Sequence, residues 1–171
     1  MLERFFPQRY YSSTLSIDFA DYYKIGYRGI LFDIDNTLAP HNGDPSEQVI
    51  EMFEELKKMG FKVCLISNNS EARVQRFNQI VHVKYISMAW KPSRKNYRRA
   101  MKEIGTDTTN TLFIGDQIFT DIWGANRAGL FSILVEPIQK KEELQIFLKR
   151  FPEKIILNRY RKYRINKKIV S

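Results

Sequence analysis

Cysteine and histidine are scarce in this chain of 171 residues, which contains one cysteine and two histidines. A single cysteine excludes an internal disulfide and fits a reducing compartment. Cys64 lies within the apolar run FKVCLI, so we interpret it as a buried core residue rather than a catalytic thiol. His41 and His82 lie in or beside loops without an evident partner, and we interpret both as surface residues. The sequence therefore gives little support for thiol chemistry.

Long apolar runs are also absent. No uninterrupted run approaches the roughly 20 residues that a membrane-spanning helix needs. The first residues, MLERFFPQRYYSS, lack the apolar core of a signal peptide. With 43% hydrophobic and 27% charged residues, the composition is that of an ordinary globular protein. We therefore expect one domain with a substantial core, located in the cytoplasm.

Positive charge is concentrated at the C-terminus. The formal net charge is +9, and residues 149–171 contain nine Lys or Arg against one Glu. This pattern is typical of a solvated tail, and also of a segment that contacts an anionic membrane surface or nucleic acid. We expect residues 29–151 to form the core and residues 152–171 to form a basic tail.

Aromatic side chains are concentrated at the opposite end, because residues 1–30 contain eight of the 23 in the chain. Phenylalanine and tyrosine beside arginine are typical of an interfacial membrane anchor. They are equally typical of a segment that packs on its own domain. Of the two interpretations we favour packing, and we expect residues 1–28 to lie on or beside the core.

Apolar runs alternate with helical patterns along the rest of the chain. Five runs read as buried strands: GILFDID, FKVCLI, VKYIS, TLFIG and FSILVEP. Helices are predicted to begin near Ser46, Ser70, Ser93 and Thr120 or Asp121, and a last helix is predicted over residues 140–151. This alternation predicts an α/β protein, a Rossmann-like three-layer α/β/α sandwich with a central parallel sheet.

The polar residues that stand out all follow predicted strands. In such folds ligands bind where parallel strands end, so these side chains are expected to meet at one edge of the sheet. They are Asp33 and Asp35 after the first strand, Ser67 after the second, Lys91 after the third, and Asp116 and Asp121 after the fourth.

Asp33 and Asp35 repel each other and cost free energy to desolvate, so a cation or a chemical role has to justify the pair. Asp33, Asp35 and Asp116 offer the hard oxygen ligands that Mg²⁺ prefers, and Asp121 is a further ligand or a supporting group. A magnesium site is therefore expected at this edge.

The same edge has the groups that a phosphate needs. Lys91 offers a positive point charge to a phosphoryl oxygen, and Ser67 offers a hydroxyl donor. Asn36 and Asn68 lie in the tight turns beside them and offer donors near the phosphate.

The stretches DIDNT (33–37), ISN (66–68), KP (91–92) and GDQIFTD (115–121) resemble the four ordered motifs of the haloacid dehalogenase (HAD) superfamily. The resemblance implies that Asp33 attacks phosphorus to form an aspartyl-phosphate, and that Asp35 is the general acid and then the general base. It also implies that the metal is held by the carboxylates of Asp33 and Asp116 and by the backbone carbonyl of Asp35. An aspartate rather than a threonine at position 35 favours the phosphatases over the ATP-driven pumps.

The spacing of these motifs leaves no room for a large cap domain. Asp35 and Ser67 are separated by 31 residues, and Ser67 and Lys91 by 23, which one helix with its strand and turns fills. An open site admits a bulky substrate. The residues of these motifs are similar to those of the YqeG-type subclass IIIA phosphatases. That subclass is grouped with the phosphatidylglycerophosphate phosphatases of mitochondria and plastids. This likeness implies a lipid headgroup as substrate and a peripheral position on the inner face of the membrane.

Other functions remain open at this point. The same chemistry suits a soluble phosphate, a nucleotide or a nucleic-acid end, and the basic tail with its interleaved tyrosines suits an RNA- or ribosome-associated module. A receiver-type phosphoacceptor domain has its acidic pair and lysine in a different order. A DxD glycosyltransferase needs a nucleotide-sugar domain for which this chain has little room. The sequence gives no indication of the oligomeric state.

Overall fold

A computed structural model describes residues 2–139 and 144–169. The strands are β1 (Arg9–Tyr11), β2 (Gly29–Phe32), β3 (Lys62–Ile66), β4 (Lys84–Ile86), β5 (Thr111–Gly115) and β6 (Phe131–Val135). The α-helices are α1 (Phe19–Lys24), α2 (Glu47–Met59), α3 (Glu71–Val81), α4 (Arg94–Ile104), α5 (Trp123–Ala128) and α6 (Leu144–Ile169). Short helical turns are formed by Glu3–Phe5, Thr14–Ser16 and Ile118–Ile122.

The six strands form one sheet in the order β1-β6-β5-β2-β3-β4, and every neighbouring pair is parallel. The chain runs outward from β2 to β4 and then returns to the other side of β2 with β5. The order therefore reverses between β2 and β5, where parallel sheets open a crevice at their carboxyl edge. Asp33 and Asp116 follow these two strands.

Two apolar layers cover the sheet. Ile30 and Phe32 point to the layer that α2 and α3 complete, whereas Leu31 points to the layer that α4 and α5 complete. This alternation along one strand is what a sheet that is buried on both faces requires. The predicted α/β/α sandwich is confirmed.

The N-terminal residues add a strand that the sequence did not predict. β1 pairs with β6 at the edge of the sheet, with Arg9 opposite Ile133 and Tyr11 opposite Val135. Several aromatic side chains of this segment are buried, among them Phe5, Phe19 and Tyr22. They are therefore not available to a membrane in this structure.

The last helix is longer than the prediction over residues 140–151, which is wrong at its C-terminal end. α6 continues through Pro152 to Ile169, and residues 140–143 lie outside the described residues. Ile156 and Tyr160 are buried, Ile156 in a cluster with Phe5 and Leu134. This packing outweighs the cost of a proline inside the helix. No helix within the described residues is both long enough and apolar enough to cross a membrane.

The helix before β6 also starts earlier than predicted. Its first turn, Ile118–Ile122, begins before Thr120 and has π-helical hydrogen bonding. The Glu153 carboxylate of α6 accepts hydrogen bonds from the amides of Ile118 at 2.8 Å and Phe119 at 3.4 Å. A distant carboxylate thus satisfies amide groups that the start of a helix leaves without partners.

Candidate active site

The nucleophile candidate Asp33 is held at the end of β2 by the backbone and by a threonine. Its amide donates to the carbonyl of Ile114 at 2.9 Å, which continues the pairing of β2 with β5. The Thr37 hydroxyl donates to Asp33 Oδ2 at 3.3 Å. Asn36, between them, has a φ of 63°, a left-handed conformation that asparagine tolerates well. The chain therefore turns sharply after the strand and returns Thr37 to the carboxylate.

Lys91 links two of the predicted acidic residues. Its Nζ lies 2.5 Å from Asp33 Oδ1 and 2.7 Å from Asp121 Oδ1, and all three side chains are at most 10% exposed. The second oxygen of Asp121 accepts from the amide of Gln117 at 3.0 Å. The sequence places Lys91 and Asp121 on different segments, and the structure brings both to the edge of the sheet where Asp33 lies, with Lys91 between the two carboxylates.

Asp116 completes a group of buried carboxylates. One oxygen from each of Asp33, Asp116 and Asp121 lies within 4.8 Å of the others. Glycine is needed at position 115, because a Cβ there would lie 2.6 Å from Cγ of Asp121. Three carboxylates with one ammonium leave an excess of negative charge, and hard oxygen donors with such an excess fit a divalent cation such as Mg²⁺.

Burial shifts the titration of this group. It raises the pKa of the Asp33 carboxyl to about 7, with Asp121 acting in the same direction and the Lys91 ammonium opposing both. Burial disfavours the charge on Lys91, but the carboxylates of Asp121 and Asp33 outweigh it and raise the pKa of Lys91. A further cation beside Asp33 would favour its ionised form.

Asp35 lies in a different environment. Its Oδ1 accepts from Arg73 Nη2 at 2.8 Å and from the amide of Asn42 at 3.1 Å, and its Oδ2 accepts from Asn69 Nδ2. Its carboxylate does not belong to the group that Asp33 forms with Asp116 and Asp121. The structure therefore separates the side chain of Asp35 from the other predicted metal ligands. The metal ligand that the resemblance implies at this position is the backbone carbonyl of Asp35, not its carboxylate.

The predicted phosphate-binding residues occupy the same edge, but not all present free side chains. Asn68 holds the backbone of Lys91, accepting from its amide at 2.7 Å and donating to its carbonyl at 3.2 Å. The side-chain oxygen of Asn36 accepts from the amide of Gln139 at 3.3 Å. Ser67 is buried, and its Oγ accepts from the amide of Asn69 at 3.2 Å. Asn68 thus positions Lys91 in this structure.

A cavity of about 370 Å³ joins these residues. No cap domain covers it, because residues 36–90 form only loops, two helices and two strands. Its walls include six predicted residues and five others to which the sequence analysis assigned no chemical role. The lining residues are Asp33, Asp35, Asn36, His41, Ser67, Asn68, Asn69, Lys91, Gln117, Thr120 and Glu153.

Sequence reasoning missed three residues that hold the site together: Thr37, Arg73 and Glu153. Thr37 was the easiest of the three to predict from the sequence, because it lies in the first motif. A hydroxyl four residues after a nucleophile is a candidate hydrogen-bond donor. Arg73 is buried although its helix reads as an ordinary amphipathic one. Glu153 belongs to the predicted tail, and only its helical spacing with Ile156 and Tyr160 indicated an inward face.

Comparison with known proteins agrees with this geometry. A family model for haloacid dehalogenase-like hydrolases matches residues 40–129. The chain is 34% identical over 157 residues to the "Probable phosphatase YqeG" of Bacillus subtilis (strain 168), across 91% of this chain and 90% of that protein. The chain belongs to the haloacid dehalogenase-like hydrolases. The prediction of a HAD-type phosphatase is thereby confirmed at the level of the family.

More distant HAD relatives carry more specific names. Phosphatidylglycerophosphate phosphatase 1, chloroplastic/mitochondrial, of Arabidopsis thaliana is 25% identical over 128 residues, which are 69% of this chain and 37% of that protein. The magnesium-bound structure of the HAD-hydrolase YfnB of Bacillus subtilis aligns with a TM-score of 0.57 at 13% identity, over 70% of this chain and 91% of that one. At this identity the structural likeness shows the shared fold alone.

Proposed function

We propose that this HAD hydrolase is a Mg²⁺-dependent phosphatase that converts phosphatidylglycerophosphate to phosphatidylglycerol at the inner face of a membrane. The observation that carries the phosphatase assignment is the buried group of Asp33, Asp116 and Asp121 with the Lys91 ammonium against two of its members. The nucleophile and a cation for phosphoryl oxygens line one cavity, and the carboxylates of Asp116 and Asp121 are buried beside Asp33. The Arabidopsis relative and the uncapped cavity support a lipid substrate.

In the proposed reaction, an Asp33 oxygen attacks phosphorus while the bond from phosphorus to the lipid alkoxide breaks, which forms an aspartyl-phosphate. Asp35 donates its proton to the departing alkoxide, so the lipid leaves as an alcohol. A water then attacks the aspartyl-phosphate and gives its proton to Asp35. Inorganic phosphate leaves, and both carboxyl groups return to their starting state.

Lys91 and Ser67 have supporting roles in this proposal. The Lys91 ammonium balances charge on the phosphoryl oxygens while it orients Asp33, and the Ser67 hydroxyl donates a hydrogen bond to the same group. Thr37 fixes the second oxygen of Asp33, so that one oxygen stays directed at phosphorus. We propose Asn36 as a further hydrogen-bond donor to the phosphate. Asn68 would contribute to phosphate binding by holding the backbone of Lys91 in place.

Asp33 and Asp116 would hold the magnesium ion with the backbone carbonyl of Asp35, and Asp121 would support them. Bound Mg²⁺ offsets the excess negative charge and polarises the phosphoryl group. We expect activity to require Mg²⁺ and to fall when Ca²⁺ replaces it, because the larger ion takes more ligands at longer distances. Phosphate release measured after dialysis against EDTA checks this, and undiminished activity in excess EDTA would refute the metal assignment.

A screen of phosphate release tests the substrate. We expect phosphatidylglycerophosphate, presented in detergent micelles and in vesicles, to give a kcat/KM at least roughly tenfold above those of sugar phosphates, nucleotides and a 5′-phosphorylated RNA, since only the lipid fits both the site and the proposed location. A soluble phosphate or an RNA end turned over faster would reject the lipid while leaving the phosphatase chemistry in place.

A further inference from the structure

Two large apolar side chains lie exposed beside the candidate active site. Met88 is 55% exposed and Trp90 is 77% exposed, and both belong to the segment that joins β4 to α4. Trp90 directly precedes Lys91, whose ammonium contacts Asp33. We refer to Met88 and Trp90 as the 88/90 ridge.

The ridge is held outward by its neighbours. Ala89 is fully buried, its amide donates to the Ser67 carbonyl at 2.9 Å, and its carbonyl accepts from Asn96 at 2.9 Å. Lys91 is fixed by Asn68 and by its ion pairs. Because residues 89 and 91 point inward, residues 88 and 90 are directed to the surface on either side of Ala89.

The backbone of the ridge is strained. Met88 has a φ of 42° and Trp90 a φ of 51°, in the left-handed region that bulky side chains rarely adopt. Such conformations cost free energy and persist where surrounding contacts impose them, often at functional sites. Here the strain keeps apolar side chains in water, which a purely structural turn does not require.

A groove connects the ridge to the active site. It has a volume of about 470 Å³ and is lined by Asn68, Ser70, Met88, Trp90 and Lys91. Asn68 and Lys91 also line the cavity that contains Asp33. The apolar surface and the phosphate-binding surface are therefore continuous.

Basic residues surround the other side of Trp90. Arg94, Lys95, Arg98 and Arg127 are exposed, and together with Trp90 they line a second depression. Within the described residues none of the four forms an ion pair. We refer to these four residues, three on α4 and Arg127 on α5, as the α4 basic cluster.

The position of two members of the α4 basic cluster is unfavourable for the helix itself. Arg94 and Lys95 lie in the first turn of α4, which contains no acidic residue. The helix dipole is positive there, so cations destabilise this end and carboxylates stabilise it. Helix stability therefore does not explain these charges, whereas an anionic partner does.

We infer that the 88/90 ridge inserts into an anionic phospholipid bilayer while the α4 basic cluster contacts its headgroups. Tryptophan and methionine projecting beside exposed cations match an interface that is apolar within and negative at its surface. This contact would place the cavity mouth at headgroup level. The inference rests on the proposed lipid substrate, and it moves the docking surface from the predicted basic tail to the edge of the active site.

Trp90 fluorescence offers a direct test. The Trp123→Phe variant leaves Trp90 as the only tryptophan. We expect its emission to shift to the blue on phosphatidylcholine vesicles that contain phosphatidylglycerol, and to be quenched by lipids brominated on their acyl chains. An emission spectrum that vesicles leave unchanged, under conditions where the protein cosediments with them, would overturn the inference.

Matched variants distinguish the effect of the 88/90 ridge on vesicle affinity from the effect of net positive charge. Met88→Asn/Trp90→Asn removes the apolar groups with a residue that tolerates a positive φ, and we expect vesicle affinity to fall roughly tenfold or more. Arg94→Glu/Lys95→Glu/Arg98→Glu should weaken it by roughly 100-fold or more. The control Lys58→Glu/Lys62→Glu/Lys84→Glu changes the charge equally at the opposite edge of the sheet. Equal losses in the control and the α4 variant would reject the proposed surface.

Two activity assays distinguish this inference from the proposed function. Turnover of p-nitrophenyl phosphate should be unchanged in the ridge variant, while turnover of phosphatidylglycerophosphate in vesicles should fall with binding. Ridge variants that process vesicle lipid at the wild-type rate would overturn docking and leave the lipid substrate standing. If the wild type binds vesicles and the ridge variant does not, but the wild type does not hydrolyse the lipid, docking is supported and the lipid substrate is rejected. Binding of the cluster to RNA but not to vesicles would also overturn the inference.

Discussion

Asp33 and Asp35 are separated by one residue, yet they lie on two sides of the cavity that differ in their electrostatic environment. On the Lys91 side, the carboxylates of Asp33 and Asp121 share one ammonium, and the carboxylate of Asp116 lies beside them. On the Arg73 side, Asp35 has a guanidinium of its own at 2.8 Å. One side therefore carries excess negative charge and the other is balanced.

This difference explains how the same residue type can take two roles in one reaction. A carboxylate in a surplus of negative charge attracts a divalent cation, which suits a metal ligand and nucleophile. A carboxylate with its own arginine and two further donors is held in one orientation without a metal, which suits a group that acts from a fixed position. Variants of the two sides should consequently fail in different ways.

Asp33→Asn should have the largest effect. An amide cannot form the aspartyl-phosphate, so we expect phosphate release to fall roughly 10⁴-fold or more. The melting temperature should equal or exceed that of the wild type, because Lys91 keeps Asp121 as partner and one of three crowded carboxylates is removed. Phosphate release in the presence of Mg²⁺ and thermal melts of the metal-free protein check the two parts.

The exposed Asp44, which pairs with Arg76, gives the control for this variant. Asp44→Asn should keep activity and change stability little, since exposed ion pairs contribute less than about 1 kcal/mol. Near-normal turnover by purified Asp33→Asn would rule out covalent catalysis by this residue.

The Lys91 side of the cavity was predictable because its signals are local. Asp33, Ser67, Lys91 and Asp116 each follow an apolar run, and parallel strands bring their carboxyl ends to one edge. The Arg73 side was not predictable in the same way. Arg73 contacts Asp35 across 38 positions and also donates to the Gly43 carbonyl at 2.7 Å. The spacing of apolar and polar residues along α3 predicts neither contact, because an arginine in such a helix is normally interpreted as a solvated side chain.

The C-terminal segment shows the same limit. Its composition indicated a basic tail, and the last helix was predicted to end at residue 151. In the structure Glu153, Ile156 and Tyr160 recur at helical spacing and face inward, while Ile155 is 50% exposed. Tyr160 lies against Phe6, with ring centroids 5.6 Å apart. Contacts with the N-terminal segment determine where this helix packs. The number of charged residues in the segment does not predict such contacts.

Asp35→Asn should have the second largest effect, a loss of roughly 10²–10⁴-fold with a lipid or alkyl phosphate. The loss in the first step, release of the leaving group, should be much smaller with p-nitrophenyl phosphate, because that leaving group departs without a proton. Single-turnover release of p-nitrophenol and of the lipid alcohol measures this step apart from the attack of water on the aspartyl-phosphate, which both substrates share. Equal losses in this first step would contradict a general acid at position 35 and indicate a role in binding or folding.

Changes at Arg73 should have the smallest effect of the three on turnover, and they test whether Arg73 positions Asp35. Arg73→Ala leaves Asp35 with the amide of Asn42 and with Asn69, so we expect kcat on the lipid to fall roughly 10- to 100-fold through misplacement. KM should change less, and the single-turnover defect in leaving-group release should again shrink with p-nitrophenyl phosphate. Removing one partner of a buried pair should also cost about 3 kcal/mol of unfolding free energy.

Two further variants on and beside this pair complete the test. Arg73→Lys keeps the charge, but its ammonium is on a differently shaped side chain and does not reproduce the position of Nη2, which donates to both Asp35 and the Gly43 carbonyl. It should therefore restore part of kcat and part of the stability. Arg76→Ala, three residues on in α3, removes an arginine whose side chain is 55% exposed and should leave both unchanged. A purely structural role for Arg73 predicts loss of stability with the same activity ratio between the two substrates as the wild type. A ratio that moves toward that of Asp35→Asn means instead that the arginine acts through Asp35, since misplacing the acid affects only leaving groups that need its proton.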